Sequence, residues 1–304
     1  IMYTFGIKHT TADNMTTMLQ GSQVGPTPTF FFDYSVKDLR RDITCCPFQW
    51  TKGVQTLQSF KSWSFGKLRY EWTNRMIPTG NDDGINRQYM RYADIVLMRA
   101  ELENELNGAS AAVPYLTKIR NRAFATSDRA TEVTAYVAEA ALSKEKMFQA
   151  IVDERAYEFA GELIRKADLI RWGMLKSKMD ETKNKMKAIV SLTDYDSKHP
   201  YSQLSGHAYY KMSAYTWTRN GIETTEKDAK LNLYGLNYGE MDINPEGYTE
   251  FSDSKGEAST WIKDNALEDV IDYLYVRDPD KYQYWPIFNV NLNDNPNLSN
   301  YEWY

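Results

Sequence analysis

The chain has 304 residues, 42% of them apolar, enough to bury a sizeable core in one large domain or two ordinary ones. Its net charge of -5, with no basic block or stripe, excludes nucleic acid as a partner. No apolar run approaches the roughly 18 residues of a membrane-spanning helix. The two cysteines, adjacent at Cys45-Cys46, build no disulfide framework. A disulfide between neighbours needs strained geometry, so two buried thiols are expected there. Aromatic residues make up 14% of the chain, 22 of them Tyr and 8 Trp, types whose apolar body and polar edge suit wet binding surfaces. The chain begins on Ile1 inside what reads as ordinary protein. An N-terminal part, with any targeting segment, is therefore expected to lie outside it.

Residues 1 to about 84 show little helical periodicity. Thr27-Pro28-Thr29-Phe30-Phe31-Phe32 is short, apolar and bounded by Pro, which predicts a strand or a buried extended segment. Helices begin near Asn86. Tyr89, Tyr92, Ala93, Val96, Leu97 and Ala100 recur at helical spacing as an apolar stripe, with Asp94, Glu101 and Glu105 on the opposite side. Asn107-Gly108 is a stop, and Ser110 is a suitable cap for a second helix carrying Ala112, Tyr115, Leu116, Ile119 and Ala123. So short a turn makes residues 86–124 an antiparallel helical hairpin.

A second pair is read over residues 143–173. Ser143 is its N-cap, and Phe148, Ile151, Val152, Ala156 and Phe159 form its buried face. Its polar side holds Glu154, Arg155, Glu158, Glu162, Arg165, Asp168 and Arg171 at three- and four-residue spacings, so pairs such as Glu162 with Arg165 and Asp168 with Arg171 can form along the helix. Some of these charges can instead reach the neighbouring hairpin. Periodicity fails over residues 192–260, where many aromatics sit among Gly, Asn, Asp, Ser and Thr. So long an irregular stretch marks a functional or packed excursion, and it is too aromatic for disorder. Residues 284–304 read as an extended tail with turns, Pro286 and Pro296 opposing helix.

Several separated stretches resemble, in the right order, the SusD/RagB-type nutrient-binding outer-membrane lipoproteins. Arg91-Tyr92-Ala93-Asp94-Ile95-Val96-Leu97-Met98-Arg99-Ala100-Glu101 is similar to that family's R-y-a-D-v-l-L-m-x-A-E helix, and Ile119-Arg120-Asn121-Arg122-Ala123 to its I/V-R-x-R-A. Glu154-Arg155, Glu158-Phe159-Ala160 and residues 165–173 resemble its E-R, E-l-a and R-w-x-D-L-x-R-W-G. Trp285-Pro286-Ile287 and residues 295–300 are similar to its C-terminal motifs, and residues 38–42 and 67–72 match upstream ones more weakly. The chain departs from the pattern at Leu163, where the family has Gly, at Phe288 for the second Pro of P-I-P, and at Tyr301-Glu302-Trp303. Gly161 here leaves open where the helix breaks.

The resemblance implies one mainly α domain over residues 1–304, with tetratricopeptide-like helical hairpins carrying an extensive loop-rich, aromatic, ligand-facing region. It further implies a lipid anchor on an N-terminal Cys outside this sequence, an outer-membrane, cell-surface location, and capture of an oligosaccharide, or in some members a peptide. The implied partner is a TonB-dependent transporter of the SusC type. For a sugar ligand the residue types to look for are aromatic faces with nearby Arg and Asn. Tyr209, Tyr210, Tyr215, Trp217, Tyr234 and Tyr238 are the candidates, with Arg219 and Asn220 close by, and Trp63 and Trp72 after them.

No catalytic residue is assigned. Paired carboxylates for glycoside hydrolysis stand across a scissile bond, whereas each acid of residues 154–171 has an Arg neighbour that favours a structural role. A glycoside hydrolase and a helical-repeat scaffold remain the alternatives from other classes. His9, His199 and His207 make no metal pattern, and no cofactor is expected. Asp82-Asp83, Asp242 with Asn244, and Asp278 with Asp280 carry oxygens of the kind that bind a structural Ca²⁺, without its loop spacing.

Overall fold

Helix α1, Pro28–Asp33, opens the part of the chain that the computed structural model describes: residues 25–51, 54–59, 62–67, 89–211, 215–218, 221–224, 232–252, 261–264, 268–284 and 286–300. This stretch was expected to be extended. Proline at the first helical position costs a helix no hydrogen bond, and one turn suffices to bury Phe31 and Phe32 together. A short α2, Arg41–Thr44, leads into β1, Cys45–Cys46. β2, Phe48–Thr51, pairs antiparallel with β3, Val54–Leu57, and β4, Ser64–Phe65, pairs with β1.

The chain is mainly helical from there, in tetratricopeptide-like hairpins. α3, Tyr92–Asn107, and α4, Ala109–Ala123, are joined by the single residue Gly108, whose φ of 87° is open to glycine without strain. Ser110 therefore lies inside α4 and caps nothing. After irregular helical turns at Thr126–Asp128 and Ala130–Ala135 come α5, Tyr136–Ala140, and α6, Lys144–Phe159. Ser143 Oγ accepts the Lys146 N–H at 3.1 Å, as its N-cap position requires. The antiparallel partner of α6 thus precedes it. The reading of residues 143–173 as a hairpin is corrected: α7, Arg165–Arg171, is a short element that turns away after α6. The break is made by Gly161 at φ 78° and by Leu163 at φ 62°, the position where the family pattern has glycine. α8, Leu175–Val190, follows and was not anticipated, although Leu175, Met186 and Ile189 bury one face of it.

The loop-rich region is more regular than expected. β5, Tyr209–Lys211, lies between β8, Asn232–Tyr234, and β9, Thr249–Glu250, and β6, Tyr215–Thr218, pairs with β7, Gly221–Thr224. α9, Trp261–Asp264, and α10, Glu268–Tyr273, follow. α11, Asn289–Asp294, fits between the two prolines that were expected to keep the tail extended.

Two cores result. One joins α3 to α6 through Leu97, Leu116, Ile119, Met147, Ile151 and Phe159. The other gathers Phe31, Trp63, Met186, Ile189, Tyr201 and Trp261 from α1, α8, α9 and the loops. Tyr89 and Tyr92, assigned to the buried stripe of α3, stand exposed, and Asp94, assigned to its outer side, is buried. Helical spacing tells which residues share a face but not which face meets a charged neighbour.

That neighbour is α6, whose charges form no outer polar side. Glu154, fully buried, accepts from Arg40 Nη1 and Arg120 Nη1, each at 2.8 Å. Glu158 accepts from Arg91 and Arg122 at 2.6 Å and from Arg40 at 2.9 Å. Arg155 holds Asp94 at 2.7 Å and Asp168 at 2.8 Å, and Arg171 reaches Asp168 at 3.1 Å and Glu101 at 2.5 Å. Glu162 binds Arg91 and Lys67, each at 2.8 Å. The expected pair of Glu162 with Arg165 is not formed: Arg165 gives an N–H to the Val152 carbonyl at 2.9 Å.

Removing one partner of a buried ion pair strands the other charges. Glu154→Gln, which leaves Arg40 and Arg120 undercompensated, is expected to lower stability by about 3 kcal/mol in urea unfolding. An unchanged midpoint would show that the network contributes nothing net.

The network also sets an acid limit. Burial raises the Glu158 carboxyl, but the Arg91 hydrogen bond and the charges of Arg40, Arg91 and Arg122 outweigh it and hold the group below its usual range. Glu101 is lowered in the same way, burial being outweighed by Arg171 and Trp172. A carboxyl held lower in the folded than in the unfolded chain stabilises fully above its unfolded value, near about 4.3, and loses that effect as pH falls through the folded one. The thermal midpoint should be flat from about pH 7 to 5 and fall below about pH 4.5. Calorimetry across that range would show it; a midpoint that rose on acidification would contradict the assignment.

Cys45 and Cys46 are buried thiols with no disulfide between them, and burial pushes the Cys45 thiol well up. Neither should react with an aromatic disulfide reagent in the folded protein, and both should react in denaturant. Rapid labelling without denaturant would contradict this.

Candidate functional site

The predicted aromatic residues divide along the pleat of β5, where successive side chains point to opposite faces. Tyr209, 4% exposed, donates its hydroxyl to Asp242 Oδ1 at 2.7 Å and packs its ring 6.2 Å from that of its strand partner Tyr234. Burial first, then the bond to that carboxylate, push the Tyr209 hydroxyl well above its usual range. Tyr210 and Tyr234 are half-buried. Tyr238 is half-buried against Phe32 and Tyr201, and its buried hydroxyl has no hydrogen-bond partner among the described residues. The structure therefore brings Tyr209 and Tyr234 together and sends Tyr238 to another wall. Tyr215 and Trp217 lie on β6, and their side chains are outside the described atoms. Arg219, Asn220 and Trp72 are outside the described residues. Trp63 is a core residue, 2% exposed, packed edge-on against Phe31 and tilted against Trp261, with its indole N–H on the Gln58 carbonyl.

His207 beside this sheet faces Glu250 at 2.7 Å and Asp242 at 3.6 Å. His199 lies between Asp196 at 2.7 Å and Asp33 at 2.9 Å. Among the described residues no group of three or more His, Cys, Asp or Glu converges where a metal could sit. Of the Ca²⁺ candidates, Asp242 accepts from Tyr209, Asp278 accepts the Asp280 N–H, and Asp280 accepts the Lys176 N–H. Asp82 and Asp83 are outside the described residues.

A separate cleft of about 950 Å³ lies elsewhere, lined by residues of both cores. α1 and Tyr34 form one wall, α6 and Arg165 a second, α8 a third, and Tyr238 with His199 close it from the loop-rich side. Its aromatic lining is rigid. Tyr34 donates its hydroxyl to the Tyr157 carbonyl and Tyr157 donates its own to the Asp33 carbonyl, each at 2.9 Å. Their rings stand 4.8 Å apart, and Phe30 is 5.0 Å from Tyr34. On α8, Lys185 joins Asp33 at 2.7 Å and Glu181 at 2.8 Å, and Lys178 joins Glu181 at 2.8 Å. The sequence reading missed this cleft. Its walls come from four separate stretches, and the amphipathic pattern of α8 was the signal that could have pointed to it.

Comparison with known proteins points to one family. The family model described as "SusD family" matches residues 56–304. The SusD-like protein P25 of Formosa agariphila is 48% identical over 90 residues, 30% of this chain and 16% of that protein. A crystal structure of a SusD homolog from Bacteroides thetaiotaomicron is 22% identical with a TM-score of 0.46, covering 57% of this chain and 37% of that one. One of a SusD superfamily protein from Bacteroides vulgatus is 21% identical with a TM-score of 0.36, covering 59% and 36%. The matched part is thus under two fifths of the length of each of these relatives. With its hairpins, its charged α6 and a family match over most of its length, the chain belongs to the SusD family.

Proposed function

We propose that the protein captures an oligosaccharide at the cell surface and passes it, unhydrolysed, to a TonB-dependent outer-membrane transporter. The observation that carries this is the family match over residues 56–304. The aromatic sheet supports it, because Tyr210 and Tyr234 keep part of their rings accessible beside Asn and Asp residues able to bond hydroxyls. Tyr215, Trp217, Arg219 and Asn220 complete the proposed ligand-facing set, with Tyr209 backing the sheet from the inside and Tyr238 lining the cleft instead. A lipid anchor would hold the protein at the outer membrane; no described helix is long and apolar enough to cross a membrane.

The acids of the α6 frame are occupied. Glu154, Glu158 and Asp168 each accept hydrogen bonds from arginines, which suits a frame and not proton transfer. Isothermal titration and affinity electrophoresis against a panel of neutral glycans should give saturable binding without turnover. Tyr234→Ala should weaken it roughly tenfold, as loss of an aromatic anchor does. No binding to any glycan together with tight binding of a peptide would overturn the sugar assignment.

A further inference from the structure

We propose that the cleft between α6 and α8 is itself a saccharide site, in which Asp153 and Arg165 take the hydroxyls of a neutral sugar and the Phe30–Tyr34–Tyr157 cluster supplies its apolar wall. This deepens the reading above and rests on it. It starts from the difference between the charges of the cleft and those of the frame. In the frame each buried carboxylate meets its guanidinium groups within about 3 Å. Within the cleft the α8 charges and His199 are likewise paired. Among the described residues Glu132 and the exposed Lys198 of the lining have no ion pair either, but Asp153 and Arg165 are the unpaired charges on the α6 and α7 wall.

Asp153 receives only the Gln149 amide, at 2.7 Å, and Arg165 gives only its N–H to the Val152 carbonyl. Among the described residues neither has an ion-pair partner within 4.0 Å, though each feels the other's charge. A carboxylate can accept about four hydrogen bonds and a guanidinium can donate five. Burial accordingly raises the Asp153 carboxyl, with the Lys178 charge opposing, and lowers Arg165, with the Asp153 and Asp168 charges opposing. Unmatched polar groups on the wall of a cleft are costly unless something fills their capacity.

The class of ligand follows from their signs. One acid and one base leave no net charge to neutralise. Neighbouring hydroxyls can donate to Asp153 and accept from Arg165 without bringing a new charge out of water. A free amino acid or a peptide terminus would have to be desolvated at its own charges, a penalty of several kcal/mol per ion. The rigid ring cluster offers an apolar face beside them, and the volume of about 950 Å³ falls in the range of about 300–1,000 Å³ common to ligand pockets. Both polar groups stand on helices held by the buried network, so the pair is placed before a ligand arrives.

The test uses the whole chain and neutral hexasaccharides of glucose, xylose and mannose as probes. The isosteric Asp153→Asn, and Arg165→Gln, should each weaken binding at least tenfold with the thermal midpoint unchanged. Hydrogen exchange on the wild type should show ligand-dependent protection of residues 149–157 and 178–185, a readout that needs no variant to fold. Wild-type affinity in both variants, with protection confined to residues 209–250, would overturn the cleft and leave the glycan reading standing. A wild type that binds none of the sugars would overturn both. Peptide binding abolished by both variants would overturn the sugar class.

Discussion

Two carboxylates that could not be buried alone, Glu154 and Glu158 on one face of α6, set the terms for the rest of the molecule. Taking an ion out of water costs several kcal/mol, recovered only where excellent geometry saturates it. Here saturation requires Arg40 from the segment before α2, Arg91 at the start of α3 and Arg120 and Arg122 at the end of α4. Next to Glu154 in the chain, Arg155 does the same for Asp94 of α3 and Asp168 of α7. Four stretches far apart in sequence are thereby held in one register around α6.

That register decides where the cleft lies. α6 gives its charges to the frame on one side and Gln149, Asp153, Ala156 and Tyr157 to the cleft on another. α8, anchored in the second core by Met186 and Ile189, supplies the facing wall. The rigid frame and the polar capacity left open in the cleft are therefore two faces of one helix. The sheet of Tyr209 and Tyr234 is a separate element, tied locally by the Tyr209 hydroxyl on Asp242 and by His207 on Glu250.

Much of this was legible before folding. The hairpin of residues 86–124, the Ser143 cap, the buried thiols and the family motifs all follow from spacing and residue type. The motif residues Arg91, Arg120, Arg122, Glu154, Glu158, Asp168 and Arg171 prove to be the network itself. Their partners were less legible. Spacing along α6 suggested pairs within one helix, and only Asp168 with Arg171 among them formed. Asp94 was placed outside α3 because a lone acid on an amphipathic helix normally faces water. Arg155, arriving from 61 residues away, made burial the better solution.

By itself the sequence determined the class of fold, the order of the hairpins and the family, because these rest on local periodicity and on motifs read along the chain. Tertiary structure alone decided that α5 and not α7 pairs with α6, that α1 is a helix, and that Trp63 and most of Tyr209 belong to the interior. It alone left Asp153 and Arg165 without ion partners on the wall of a cleft. Whether a charge is satisfied depends on what comes within about 3 Å of it in space, and linear spacing carries no record of that.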